Sequence, residues 1–324
     1  MSFNFIDLFA GIGGMRIAFE KAGGECVFSS EWDKFAQQTY KANFGEIPYG
    51  DITKVELKDV PRHDVLIGGF PCQPFSHAGL KRGFEDTRGT LFFDVARIID
   101  HRKPSMVLLE NVKGFTTHDK GRTMETVKET LESLGYNVFL KVLNARDFGV
   151  PQNRERIFIV ALNKRKLGSI GFDFPHPLRK STKLGDILEK SVDEKYTISN
   201  KLWAGHKRRL REHREKGNGF GYSLFNSESV YTSTISARYY KDGSEILIEQ
   251  KNDNPRKLTP REAARLQGFP ESFVIPVSDN QAYKQFGNSV AVPVIQAIAR
   301  KMVRVLEEPE SRIPYSEWRQ EKLL

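Results

Sequence analysis

The sequence predicts an α/β protein: a doubly wound, mostly parallel sheet with a smaller, irregular, β-rich unit inserted into it. Three observations lead there. Short apolar runs alternate with amphipathic stretches through the first 160 residues, the alternation stops near residue 163, and helical periodicity returns near residue 258. At 324 residues the chain is about twice a ~150-residue domain, long enough to carry an insertion on a full core.

Residues 3–9, 25–30, 64–68, 105–109, 138–143 and 157–162 read as buried strands, with helices near 15–22, 33–42, 90–101 and 121–134. Strand and helix in turn imply βαβ units and hence a parallel sheet. From 163 to 257 the periodicity gives way to charges and to Gly/Asn/Ser clusters such as Gly217-Asn218-Gly219. Thr259-Pro260-Arg261-Glu262 is a capping box with proline at the first helical position, so a helix runs through Ala263, Ala264 and Leu266 and stops at Gly268. After Pro293, the residues Ile295, Ile298, Ala299, Met302, Val303 and Leu306 share one helical face. That face needs a partner surface, and packing it on the N-terminal sheet makes the middle of the chain an insertion. The expected division is 1–162 for the main unit, 163–284 for the inserted unit and 285–324 for a segment returning to the first.

Composition narrows the class. Fifty Lys and Arg against 41 Asp and Glu leave a net charge of +9, which suggests a polyanionic partner. With only Cys26 and Cys72 there is no disulfide framework and no zinc-finger array, and a reducing compartment is expected. The apolar runs fall far short of the ~20 residues that span a bilayer, and no basic stretch leads into a long apolar one at the N-terminus. A soluble, cytoplasmic protein is therefore expected.

Several segments carry chemistry. The first strand ends in a glycine-rich turn, Asp7 to Gly14, that opens a helix whose free N–H groups face a ligand. Gly11, Gly13 and Gly14 depart from the dinucleotide pattern, because its sixth place is Arg16. Glu31, twenty residues after Gly11, stands where an acid holds ribose hydroxyls, with Trp32 beside it to stack on a base and Asp51 able to reach an adenine amino group. Taken singly, each of these is also what a tight turn or a solvated surface would show. Cys72 follows the third strand on a loop stiffened by Pro71 and Pro74, which favours a nucleophile over a packed thiol. Cys26 lies inside a strand and reads as an inert thiol. Glu110 follows the fourth strand, where crowding would raise its pKa, and Arg154 and Arg156 precede the last strand of the set.

With these segments in this order, together with Arg261 to Pro270 and Gln285-Phe286-Gly287-Asn288-Ser289-Val290, the chain resembles the DNA (cytosine-C5) methyltransferases, in particular the compact bacterial restriction-modification enzymes. The resemblance implies a Rossmann-like, S-adenosylmethionine-dependent methyltransferase fold and no metal. It implies that Cys72 attacks cytosine C6, that Glu110 hydrogen-bonds N3 and the exocyclic amine, that Arg156 lies against O2, and that Arg154 supports the Cys72 loop or a phosphate. By the same resemblance Phe9, Gly11, Gly13, Gly14, Glu31, Trp32, Asp51, Ile52, Pro71, Asn288, Ser289 and Val290 contact the cofactor. The target base must leave the stack to be reached.

Residues 76–88, with Ser76 and Arg88 facing DNA, resemble the loop that closes over the duplex. Residues 163–255 correspond to the variable target-recognition region, with Thr234-Ile235 at its core and Arg238 placed to pair with a guanine. In 201–216, seven of sixteen residues are Lys or Arg, a pattern open to two readings, a solvated helix face or a phosphate grip. Double-stranded DNA is the implied partner of a monomer associated with the nucleoid, and a cognate endonuclease would act in the same system without a physical complex. A nicotinamide-dependent oxidoreductase and a non-catalytic DNA-binding relative remain as alternatives, and RNA as a further substrate.

Overall fold

The computed structural model describes residues 3–71, 91–178, 181–219 and 221–321. Cys72, Ser76 and Arg88 fall outside the described residues.

The main sheet is built from β1 (Phe3–Leu8), β2 (Gly24–Ser30), β3 (Val65–Gly69), β4 (Met106–Val112), β5 (Tyr136–Asn144) and β6 (Glu155–Asn163), in the order β2-β1-β3-β4-β6-β5. Strand β6 runs antiparallel to both β4 and β5, and the other strands share one direction. Because β1 is flanked by β2 on one side and β3 on the other, the chain changes direction of travel between them. The crevice beyond their carboxyl ends is where such sheets bind ligands.

Helices α1 (Gly14–Glu20), α2 (Lys34–Phe44), α3 (Leu91–Arg102) and α4 (Arg122–Ser133) cover the two faces. Alternation along the strands divides the core accordingly. Phe5, Val65, Ile67, Met106 and Leu108 point to one side, while Ile6, Leu8, Leu66, Val107 and Leu109 point to the other, against α3 and α4.

After the short α5 (Lys164–Leu167) come α6 (Asn200–Glu215), two-residue strands β7 (Leu224–Phe225) and β8 (Leu247–Ile248), and α7 (Pro260–Leu266). The capping box forms as expected: Glu262 N–H donates to Thr259 Oγ1 at 3.1 Å, and Thr259 N–H to Glu262 Oε2 at 2.9 Å. Gly268, at φ +74°, ends the segment. Glu262 is fully buried, with both oxygens on Arg256 at 2.7 and 2.8 Å. The basic stretch 201–216 is largely one helix, α6, with Ser199 as its N-cap and His206 as its only buried residue. Its less exposed face is narrow, formed by Trp203, His206, Leu210 and His213 at helical spacing, so charges dominate the sequence pattern.

Two further helices follow, α8 (Asp279–Asn288) and α9 (Val292–Glu307), and the last described element is α10 (Tyr315–Glu321). Helix α8 has no expectation behind it in the sequence, since its N-cap Ser278 makes no side-chain cap and Gln285 and Gly287 interrupt its buried face. Helix α9 packs on α1 and the Phe5 side of the sheet. Ile235, Tyr239, Leu258, Ala263 and Phe286 belong to the same apolar cluster, so the stretch from 235 to 263 shares a core with α8 and α9.

Candidate active site

The glycine-rich turn leaves β1 through Phe9, Gly11 and Gly13, all with positive φ, at 55°, 56° and 83°. A methyl group at Gly14 would lie 2.9 Å from Ser289 Oγ and 3.0 Å from Val290 Cγ2, so the junction between α8 and α9 is seated directly on the turn. At Gly11 the same methyl group would meet nothing within 4 Å, leaving the outer side of the turn open. Glu31 borders that space. Its carboxylate accepts from Gly11 N–H and from Asp33 N–H, both at 2.8 Å, and burial pushes its pKa up.

The corner is completed by residues 49–51. Glu31 N–H donates to the Tyr49 carbonyl at 2.8 Å and Ser30 Oγ to the Gly50 carbonyl at 2.8 Å, which stitches this segment to the end of β2. Asp51 follows directly on this stitched segment. Hydrogen bonds from Thr53 hold the Asp51 carboxyl below its ordinary range. Trp32 is 77% exposed, an unusual position for a side chain of that size, whereas Ile52 is buried in the core.

One strand across, β3 ends in Gly69-Phe70-Pro71. Phe70 is packed between Phe92 and Phe115, with ring centroids at 5.6 and 5.4 Å. Its carbonyl accepts from Asn111 Nδ2 at 2.9 Å. The chain is thus anchored at the residue before Pro71, which is exposed and immediately precedes Cys72. Asn111, next to Glu110 on β4, therefore holds the end of β3 in place. Glu110 pairs with Gly69 across the β3–β4 ladder, and a methyl group at Gly69 would come within 3.3 Å of Glu110 Oε2. From β6, Arg156 Nε reaches Glu110 Oε1 at 3.1 Å. Burial raises the Glu110 pKa against the opposing pull of Arg156 and Arg154.

Arg154, although two residues from Arg156, is placed differently. It is 2% exposed and donates to the carbonyls of Ile235 at 3.1 Å, Gly287 at 3.0 Å and Ser289 at 2.6 Å. Burial, and the like charge of Arg156, bring its pKa down to about 9. Thr234 Oγ1 donates to the Asn153 carbonyl at 2.6 Å, fixing the proposed recognition core beside the same mouth, and Arg238 beyond it is exposed. Asn288 is exposed next to half-buried Ser289 and buried Val290.

Gln152 and Gln267, both fully buried, join these pieces and were not singled out as site residues by sequence. The available signal was a glutamine set among apolar neighbours, Val150 and Leu266, with no solvent face to explain it.

Comparison with known proteins gives the arrangement a family. The profile of the C-5 cytosine-specific DNA methylase family matches residues 3–304. The chain is 64% identical to the Type II methyltransferase M.SsoII of Shigella sonnei, over 94% of this chain and 81% of that protein. It is 50% identical to the Type II methyltransferase M.HpaII of Haemophilus parainfluenzae, over 94% and 90%. Among solved structures, the Entamoeba histolytica methyltransferase EhMeth superposes with a TM-score of 0.77 at 20% identity, over 95% of this chain and all of that one, which shows the shared fold. The nicotinamide alternative is set aside by these matches. Over nearly its whole length the chain belongs to the C-5 cytosine-specific DNA methylase family, and it is a DNA (cytosine-C5) methyltransferase.

Proposed function

We propose that this protein, acting as a monomer, methylates one cytosine within a short specific duplex sequence as the modification arm of a restriction-modification system. The observation that carries the reading is the Glu110–Arg156 pair at 3.1 Å, standing one strand away from the Asn111-anchored end of β3. A carboxyl and a guanidinium side by side match the N3, exocyclic amine and O2 edge of a cytosine that has been turned out of the helix.

The corner at the glycine-rich turn fits S-adenosylmethionine. Gly11 offers an open cradle that any side chain would fill, Glu31 and Asp51 supply acceptors for hydroxyl and amino groups, and exposed Trp32 offers a ring face. When bound, S-adenosylmethionine supplies an electrophilic methyl group. Cys72 forms a bond to C6 of the cytosine, and the electron pair of the C5–C6 double bond becomes available at C5. Glu110, held above its ordinary pKa by burial, keeps a proton at N3 as charge develops there, and Arg156 faces the oxygen at C2. Loss of the C5 proton then restores the double bond and expels the Cys72 sulfur.

Bisulfite sequencing of DNA from cells that express the protein should show one methylated cytosine in one recurring sequence, and none with Cys72→Ser. Wild-type expression without such a pattern, or undiminished methylation by Cys72→Ser, overturns the reading. In the purified system, 5-fluorocytosine at the target should trap a covalent complex, because the C5 proton required for release is missing.

A further inference from the structure

The segment assigned to target reading and the segment assigned to the cofactor are joined through buried polar groups. Residues 232–236 lie along 151–153: Thr232 N–H donates to the Pro151 carbonyl and Asn153 N–H to the Thr232 carbonyl, both at 2.9 Å. Gln152 Oε1 accepts from Ile235 N–H at 3.1 Å, and its Nε2 donates to Gln267 Oε1 at 3.1 Å. Gln267 Nε2 in turn donates to the Phe286 carbonyl at 2.6 Å. Arg154 spans the same gap in one side chain, holding Ile235 on one side and Gly287 and Ser289 on the other. Its guanidinium thereby satisfies carbonyls at the C-terminal end of α8 that the helix cannot pair itself.

Packing runs in parallel with these bonds. A methyl group at Gly287 would lie 2.3 Å from the carbonyl carbon of Ser236 and 2.4 Å from Ala237 N, so the two backbones are in direct contact. Two residues on, Ser289 and Val290 touch Gly14 of the cofactor turn. The path from Ser236 through Gly287 and Ser289 to Gly14 therefore has no solvent gap.

We infer that Gln152, Arg154 and Gln267 are positioning residues that couple the two ligands, so that ordering the 287–290 segment around the cofactor also orders the 232–238 segment for DNA. The inference rests on the proposed function together with the roles that the family resemblance implies for Thr234 and Arg238 toward DNA and for Asn288, Ser289 and Val290 toward the cofactor. Linkage makes the effect reciprocal: whatever the cofactor does for DNA affinity, DNA does for cofactor affinity. Rigidifying a shared network is sufficient for this, without a change of shape.

Amide hydrogen exchange on the full chain without DNA tests it. S-adenosylhomocysteine at saturation should slow exchange in 288–290 and, at a distance, slow the amides of 232–238, among them Ile235, by threefold or more. In Gln267→Met the slowing at 288–290 should persist while that at 232–238 is lost. Slowing at 288–290 with none at 232–238 in the wild type, or equal distant slowing in Gln267→Met, refutes the coupling and leaves the proposed function intact. Absence of any effect at 288–290 refutes the cofactor assignment and the coupling with it. Should Gln267→Met fail to fold, the wild-type comparison decides alone.

Discussion

Gly287→Ala would drive a methyl group into the backbone of another segment. The new carbon would sit 2.3 Å from the Ser236 carbonyl carbon and 2.4 Å from Ala237 N and Ser236 O, so the two chains would have to separate by about 1 Å. No rotamer can relieve this, because the obstacle is main chain. Overpacking of this kind costs ~1–3 kcal/mol, and displacing the Gly287 carbonyl from Arg154 Nη2, now at 3.0 Å, would weaken a hydrogen bond to a charged group worth ~1.5–3 kcal/mol. A loss of about 2.5–6 kcal/mol corresponds to a fall of about 4–9 °C in Tm for a chain of this size. Gly11→Ala is the matched contrast. Its methyl group meets nothing within 4 Å, so the folded state loses only the ~1–2 kcal/mol of a left-handed backbone at a residue bearing Cβ, about 1.5–3 °C. Affinity for S-adenosylhomocysteine should instead fall by tenfold or more, since the methyl group occupies the open side of the turn. Differential scanning fluorimetry and isothermal titration calorimetry read both quantities. A Tm for Gly287→Ala within 2 °C of wild type, or normal ligand affinity in Gly11→Ala, would refute the reasoning that separates a packing glycine from a ligand glycine.

Glu110→Gln removes a buried carboxyl from the proposed base pocket and should lower kcat by ~10²–10³ in single-turnover methylation while leaving the far-UV spectrum unchanged; a less than fivefold effect argues against its contact with the base. Trp32→Ala, at a side chain 77% exposed, should shift stability by no more than ~0.5 kcal/mol and weaken S-adenosylhomocysteine binding by about tenfold through lost stacking. Asp7 is buried, with Oδ2 lacking a partner among the described residues, and burial raises its pKa from 3.8 to about 8. The folded state therefore keeps a proton that the unfolded chain releases, and wild-type stability should fall as pH rises from about 4 to about 8. Urea titrations across that range should show a flatter dependence for Asp7→Asn, and an unchanged slope would contradict the assignment. Exposed Arg211 and Arg214 on α6 should each contribute ~0.9 to the slope of log K against log salt for duplex binding; the double Ala variant tests this, and an unaltered slope removes α6 from the DNA contact.

Much of the main sheet was legible because its strands are buried on both faces and therefore read as short continuous apolar runs between amphipathic helices. The helix beginning at Pro260 was legible to the residue, since capping is chemistry local to Thr259 and Glu262. Helix α8 was not, because its buried face includes Gln285 and Gly287, whose partners lie far away in the chain. Glu31 shows an intermediate case. Its spacing from Gly11 suggested a ligand acid, but its hydrogen bond to Gly11 N–H at 2.8 Å, which also makes it a brace for the turn, depends on the register between β1 and β2.

Arg154 and Arg156 mark where pattern reading stops. As two like residues separated by one, they invite a common role at the mouth of the sheet. Residue 156 lies on β6 opposite Val112 of β4, a register that brings its guanidinium to Glu110 on the neighbouring strand. Residue 154 precedes the strand, and its side chain is surrounded by the 232–236 and 287–289 segments, which arrive from 81 and 133 residues further along. A cation so enclosed is costly unless its donors are met; three backbone carbonyls meet Nη1 and Nη2, while Nε has no partner among the described residues. Loss of Arg154 should therefore act on both neighbours at once, weakening DNA and cofactor binding together, whereas loss of Arg156 should lower the methylation rate with cofactor affinity intact. Binding titrations of Arg154→Lys and Arg156→Lys distinguish these outcomes, and equal effects of the two substitutions on cofactor affinity would contradict the division of labour that the register imposes.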